Sequence, residues 1–130
     1  MDRQVDTISS YRDLRVWKDG MMLAEASYRF TSTLPRDELF GMSSQIRRSA
    51  ASIPANIAEG YGRDSRGSYI QHLRIAQGTI KELETHLLLA ARVGLATEES
   101  IKPMLDTSDS LGRMLRSLIR SLEAKAASFE

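Results

Sequence analysis

Apolar residues in this chain recur every three or four positions, and no segment alternates apolar and polar residues with period two. Leu (15) and Ala (13) greatly outnumber Val (3), so propensity agrees with periodicity and argues against a sheet. Three prolines and the glycine clusters then divide the chain into four helical segments.

The first segment is predicted from Leu14 to Thr33, with Asp13 as N-cap. Trp17, Met21, Ala24, Tyr28 and Thr31 share one face, and Val16, Leu23, Phe30 and Leu34 form a second strip beside it. The second segment runs from Asp37 to Gly60, with Leu39, Ile46, Ala50, Ile53 and Ile57 as its apolar stripe. Its many Ser and Ala residues let another backbone come close. Pro54 interrupts it, removing a donor to the carbonyl of Ala50. The apolar spacing continues across the proline, which favours a kink over a fresh start capped by Ser52.

Gly60, Gly62 and Gly67 mark a turn, and a third helix is predicted from Ser68 to Val93 with Gly94 as its stop. Ile70, Leu73, Ala76, Ile80, Leu83, Leu87 and Ala91 line one face, whereas Ile75 and Leu89 lie off it and hint at a subunit interface. In the fourth segment Met104, Ser108, Leu111, Leu115, Leu118 and Leu122 form a bundle seam. Either Thr97 caps this helix and Pro103 falls in its second turn, or Pro103 opens the main helix. The short connections predict antiparallel neighbours, hence an all-α, up-down-up-down four-helix bundle over residues 11–123. Residues 1–10 read as a mobile lead-in without the apolar stretch of a signal peptide, and 124–130 as a frayed tail. No run approaches the roughly 20 apolar residues that span a bilayer, so the expected setting is the cytoplasm.

The chemistry available is narrow. There is no Cys, which excludes disulfides, a thiol nucleophile and Cys-ligated metals. His72 and His86 sit 14 residues apart on one helix. That spacing corresponds to roughly 21 Å, too far to share a metal. The glycines lack the Gly-Lys-Ser/Thr of a phosphate loop and follow no strand. Asn56, Glu59 and Arg63 share a helix face; a structural hydrogen-bonding role fits them better than a catalytic carboxylate. No catalytic residue, metal site or cofactor is expected.

Charge is more informative in its distribution than in its sum. The 18 bases and 17 acids nearly cancel, yet residues 44–74 carry +3, 75–110 carry −3 and 111–130 carry +2. Fourteen of the bases are Arg, whose planar fork suits phosphate or carboxylate. Arg113, Arg116 and Arg120 line a stripe opposite the fourth helix's Leu seam: a solvated face, or a phosphate-binding strip that repeats in an oligomer. Arg47, Arg48, Arg63 and Arg66 supply the other basic segment. Tyr61 and Tyr69 are the best candidates for stacking on bases, so contact with a nucleic-acid backbone is favoured over base readout.

Three ordered blocks carry a family resemblance: YRDLRVWKDGMMLA, GMSSQIRRSAASIPANIAEGYGR and YIQHLRIAQGTIKELETHLLLAARVGL. Together they resemble the four-helix-bundle proteins encoded by intervening sequences of bacterial 23S ribosomal RNA, the S23-type proteins. The resemblance implies a left-handed up-down bundle assembled as a homopentameric ring. It also implies kinship with an accessory protein of diversity-generating retroelements, which carries a basic surface and works with a reverse transcriptase and RNA. No enzymatic activity is established for the family. Gln45, Arg47, Arg48, Asn56, Glu59, Gly60 and Arg63 match its signature, whereas the fourth helix and its Arg stripe match poorly. The expected function is a non-enzymatic homo-oligomeric scaffold binding nucleic acid, RNA before DNA, without a membrane. The alternative is a protein–protein interaction scaffold that touches no nucleic acid.

Overall fold

The computed structural model describes residues 7–127, and among these there are four α-helices and no strand. They are α1 (Arg15–Thr31), α2 (Met42–Tyr61), α3 (Arg66–Arg92) and α4 (Glu98–Ala127), with short 3-10 turns at Tyr11–Asp13 and Arg36–Glu38. Packing joins α1 to α2, α2 to α3, α3 to α4 and α4 back to α1, the closed square of a four-helix bundle. None of these helices is long and apolar enough to cross a membrane.

The helix ends show where local chemistry differs from the expectation. Asp13 does not cap α1; its Oδ2 accepts from the backbone N–H groups of Ser9 (2.9 Å) and Ser10 (3.1 Å), closing a capping box on the turn before it. Leu14 occupies the α1 cap position without a side-chain bond. Asp37 does not start α2 but lies in the 3-10 turn that follows Pro35. The helix starts at Met42, whose N–H donates to Glu38 Oε1 at 3.1 Å. Ser65 caps α3, its Oγ accepting from Ser68 N–H at 3.1 Å. At the head of α4, Thr97 Oγ1 accepts from Ser100 N–H (3.1 Å) and Ser100 Oγ from Thr97 N–H (3.2 Å). This reciprocal pair starts the helix ahead of Pro103, which therefore sits inside it. α4 runs to Ala127; residues 128–130 and the lead-in residues 1–6 lie outside the described residues.

The core follows seams of alternating three- and four-residue steps. On α1 these are Val16, Gly20, Leu23, Ser27 and Phe30, with Leu34 buried beyond the helix end. The strip given second place in the sequence is thus the core, and Trp17, Met21 and Tyr28 lie on its flank. Gly20 and Ser27 mask this seam in an apolar count, but they are the positions where α2 and α4 come near. A Cβ on Gly20 would stand 3.5 Å from Pro54 Cβ, and Ser27 Oγ approaches Met104 Sδ at 3.7 Å. On α2, Ile46, Ile53 and Ile57 are wholly buried, whereas Leu39 is 47% exposed in the connection. Burying each such side chain contributes about 1.5–3 kcal/mol. The α4 seam begins at Ile101 and passes from Leu115 to Ile119, leaving Leu118 and Leu122 half-buried. A straight helix drifts about 20° per seven residues, so the seam migrates along it.

Candidate nucleic-acid interface

At the α2–α3 turn the structure gathers several of the signature residues. Gly60 is buried where the two helices approach most closely: a Cβ there would stand 2.6 Å from His72 Cβ. Glu59, next to it, is exposed and accepts from Arg63 Nη2 at 2.6 Å, with His72 Nε2 at 3.6 Å. The Arg63 hydrogen bond holds the Glu59 carboxyl below its ordinary value. His72 Nδ1 lies 2.9 Å from the Ser68 carbonyl; a carbonyl only accepts, so Nδ1 carries the proton. Asn56 Nδ2 donates to the Ser52 carbonyl (2.9 Å) and hydroxyl (3.0 Å). Asn56 and Arg63 each donate to a residue one turn back, Ser52 and Glu59 respectively. Tyr61 and Tyr69 meet edge-to-face with centroids 5.9 Å apart, both half-buried. Burial raises the Tyr69 hydroxyl's pKa.

The basic residues fall into different settings. Arg47 is half-buried, with Nε donating to Thr31 Oγ1 at 2.7 Å and its guanidinium 5.3 Å from the Tyr28 ring centroid. It ties α2 to α1 as much as it faces solvent. Gln45 and Arg48 are exposed, and the Gln45 carbonyl accepts the Ser49 hydroxyl at 2.8 Å. Arg66, half-buried, opens α3. Arg113, Arg116 and Arg120 are all exposed along α4, Arg113 paired with Asp109 one turn back.

Beside this stripe α3 adds Arg74, which pairs with Glu123 across the two helices. Between them runs a groove of about 410 Å³ lined by Arg74, Gly78, Lys81, Ser108, Gly112, Arg113 and Arg116, among others. Gly78 on α3 and Gly112 on α4 both lie inside helices, where Gly costs about 1 kcal/mol relative to Ala. A Cβ at either position would meet nothing within 4 Å, and neither has a positive φ. Packing and backbone conformation therefore give no reason for glycine at either one. Ser108 is 1% exposed, and its hydroxyl has no hydrogen-bond partner among the described residues. The sequence reading found the Arg stripe but not this groove. Its signal was present in two mid-helix glycines and a serine within a leucine seam.

His86 is half-buried, with Nε2 3.7 Å from Glu82 Oε2, and stands well along α3 from His72. Among the described residues no three His, Asp or Glu side chains cluster as metal ligands would.

Comparison with known proteins places the chain. No curated protein matches it. A solved structure does, described as a protein of unknown function from the S23 ribosomal protein family of Bacteroides thetaiotaomicron. The likeness has a TM-score of 0.72 at 32% identity, covering 80% of this chain and 97% of that one. The family model for 23S rRNA-intervening sequence proteins matches residues 12–117. That span reaches well past Leu95 and takes in Arg113 and Arg116, though not Arg120, so the fourth helix is part of the family pattern rather than an addition to it. With four helices packed as a closed square and the match running from before α1 into α4, the chain belongs to the 23S rRNA-intervening sequence protein family.

Proposed function

We propose that the protein is a non-enzymatic, homo-oligomeric scaffold that binds nucleic acid, RNA in preference to DNA, through its Arg-rich surface in the cytoplasm. The observation that carries this reading is the exposed Arg113, Arg116 and Arg120 stripe beside Arg74 of the neighbouring helix. Such a strip of exposed arginines suits contact with backbone phosphates rather than with base edges. The family's name ties it to 23S rRNA intervening sequences, which favours RNA. Self-association is supported by Ile75 and Leu89, each 45% exposed on α3. In the assembly we propose, five left-handed protomers form a ring, and α2 bends at Pro54, the proline inside it that packs on Gly20. Repetition of the stripe around the ring multiplies weak contacts into one surface.

The test is RNA binding by fluorescence anisotropy across a salt series. Affinity should fall steeply with salt, and Arg113→Ala/Arg116→Ala/Arg120→Ala should flatten the log–log slope by about 2. Binding indifferent to both salt and the triple substitution overturns the proposal. A second reading, a scaffold for protein partners only, is favoured by Phe40, 94% exposed beside Leu39 in the α1–α2 connection. Co-purification of one protein that survives nuclease treatment, with no RNA retained, would select it.

A further inference from the structure

The groove between α3 and α4 joins three observations that structural stability does not explain. Gly78 and Gly112 face it from the interiors of two helices, and beyond the helix's own local backbone a Cβ at either would meet nothing within 4 Å. Alanine would strengthen both helices and fit without a clash, so glycine there preserves space at the expense of stability. Ser108 lines the same groove, and its buried hydroxyl is unsatisfied. A buried donor without a partner is destabilising unless a ligand or water completes it. Around the rim stand Arg74, Lys81, Arg113 and Arg116.

We propose that this groove is a phosphate-binding site, in which Ser108 donates its hydroxyl to a phosphate oxygen and the rim arginines bracket the remaining charge. This rests on the nucleic-acid reading above for its natural ligand, a phosphodiester of the RNA backbone. The glycines let the phosphate sink between the helices instead of resting on their side chains. Three carboxylates already pair with the rim: Asp109 with Arg113, Glu123 with Arg74, and Glu84 with Lys81. Asp109 itself lines the groove. The Asp109 and Glu123 pairs are exposed and weak, each a single contact, and an arginine fork can exchange that contact for a bidentate pair with phosphate. Among the described residues Arg116 has no carboxylate partner to exchange, and it is the first contact in this scheme.

Two arms test the site on the full chain. In the first, inorganic phosphate is titrated into ¹⁵N-labelled protein at constant ionic strength, with chloride as the control. Saturable shifts of the Gly78, Ser108 and Gly112 amides are expected. In the second, a single-stranded oligoribonucleotide is titrated against wild type, Ser108→Ala and Gly78→Met/Gly112→Met. The methionine pair fills the groove with good helix formers, so thermal stability should hold or rise. Both ligands should weaken about tenfold on filling the groove, and about fivefold on removing the Ser108 hydroxyl, the loss of one hydrogen bond to a charged oxygen. Absence of phosphate shifts in the groove, or shifts that survive its filling, overturns the site. Oligonucleotide binding that ignores the filled groove also overturns it, yet leaves the wider RNA reading intact. Phosphate shifts without oligonucleotide binding keep the groove as a site for small phosphate compounds and sink the RNA reading instead.

Discussion

Gly60 has no room for a side chain, because His72 Cβ occupies the space a Cβ would need at 2.6 Å. Gly60→Ala should therefore lower stability by about 1–3 kcal/mol, the usual cost of overpacking, in place of the gain a helical Gly→Ala change brings elsewhere. Urea denaturation measures it, and an unchanged midpoint would mean the helices part freely at that end. Carboxylates make a second residue-scale expectation. The Ser9 backbone hydrogen bond, with those of the Ser9 side chain and Ser10 backbone, lowers the Asp13 pKa from 3.8, and Arg63 lowers that of Glu59 from 4.5. A depressed folded-state pKa stabilises fully above the unfolded value and is lost as pH falls through the folded one. Asp13→Asn and Glu59→Gln should thus narrow the difference in thermal midpoint between pH 6 and pH 3. A difference equal to that of wild type would show that neither bond matters. At this scale sequence reasoning reached the residue types but not their partners. Asp13 is a capping residue, but of the turn before α1, because Ser9 and Ser10 lie close enough to claim all three of its hydrogen bonds.

Helices themselves were legible because their seams repeat, and the misses have local causes. Val16, Gly20, Leu23, Ser27 and Phe30 form the α1 core although two of the five are Gly and Ser. Counting apolar residues favours Trp17 and Tyr28, which are large but flank the seam. Asp37 and Leu39 resembled a helix start, but Pro35 and the 3-10 turn set a short element of their own. Helix stops were easier. Gly94 has φ +84°, and the bonds from Leu95 N–H to Ala90 (2.9 Å) and from Gly94 N–H to Ala91 (3.2 Å) close α3 with a Schellman turn. Gly94→Ala should cost about 1–2 kcal/mol through the left-handed conformation alone. Chemical denaturation showing no loss would mean that the connection rearranges without penalty.

Across the molecule, the near-neutral sum conceals segregated charge: the −3 segment between the two basic ones spans most of α3 and the front of α4. That pattern is a sequence fact, but which stripes become neighbours depends on the fold, and only packing brings Arg74 beside the α4 arginines. Oligomerisation belongs to this scale too. Ile75 and Leu89 lie on the same side of α3 about four turns apart. Ile75→Glu/Leu89→Glu should shift the light-scattering mass toward the 14.6 kDa protomer with the helical circular dichroism retained. A wild type that is already monomeric at micromolar concentration would contradict the ring.

The closed square of helices also sets an order of events. Three of its four sides join helices adjacent in the chain, and only the α1–α4 side brings distant segments together. Contacts of short sequence separation close cheaply, which predicts folding on the microsecond-to-millisecond scale. As the chain emerges during synthesis, α1, α2 and α3 can zip together turn by turn. Ser27, which meets Met104, and Ile80, which lines the α3–α4 groove, then wait with one flank open until α4 arrives. The vulnerable moment in this protein's life is therefore the interval before its last helix docks, when a second copy's α4 would fit the opening equally well.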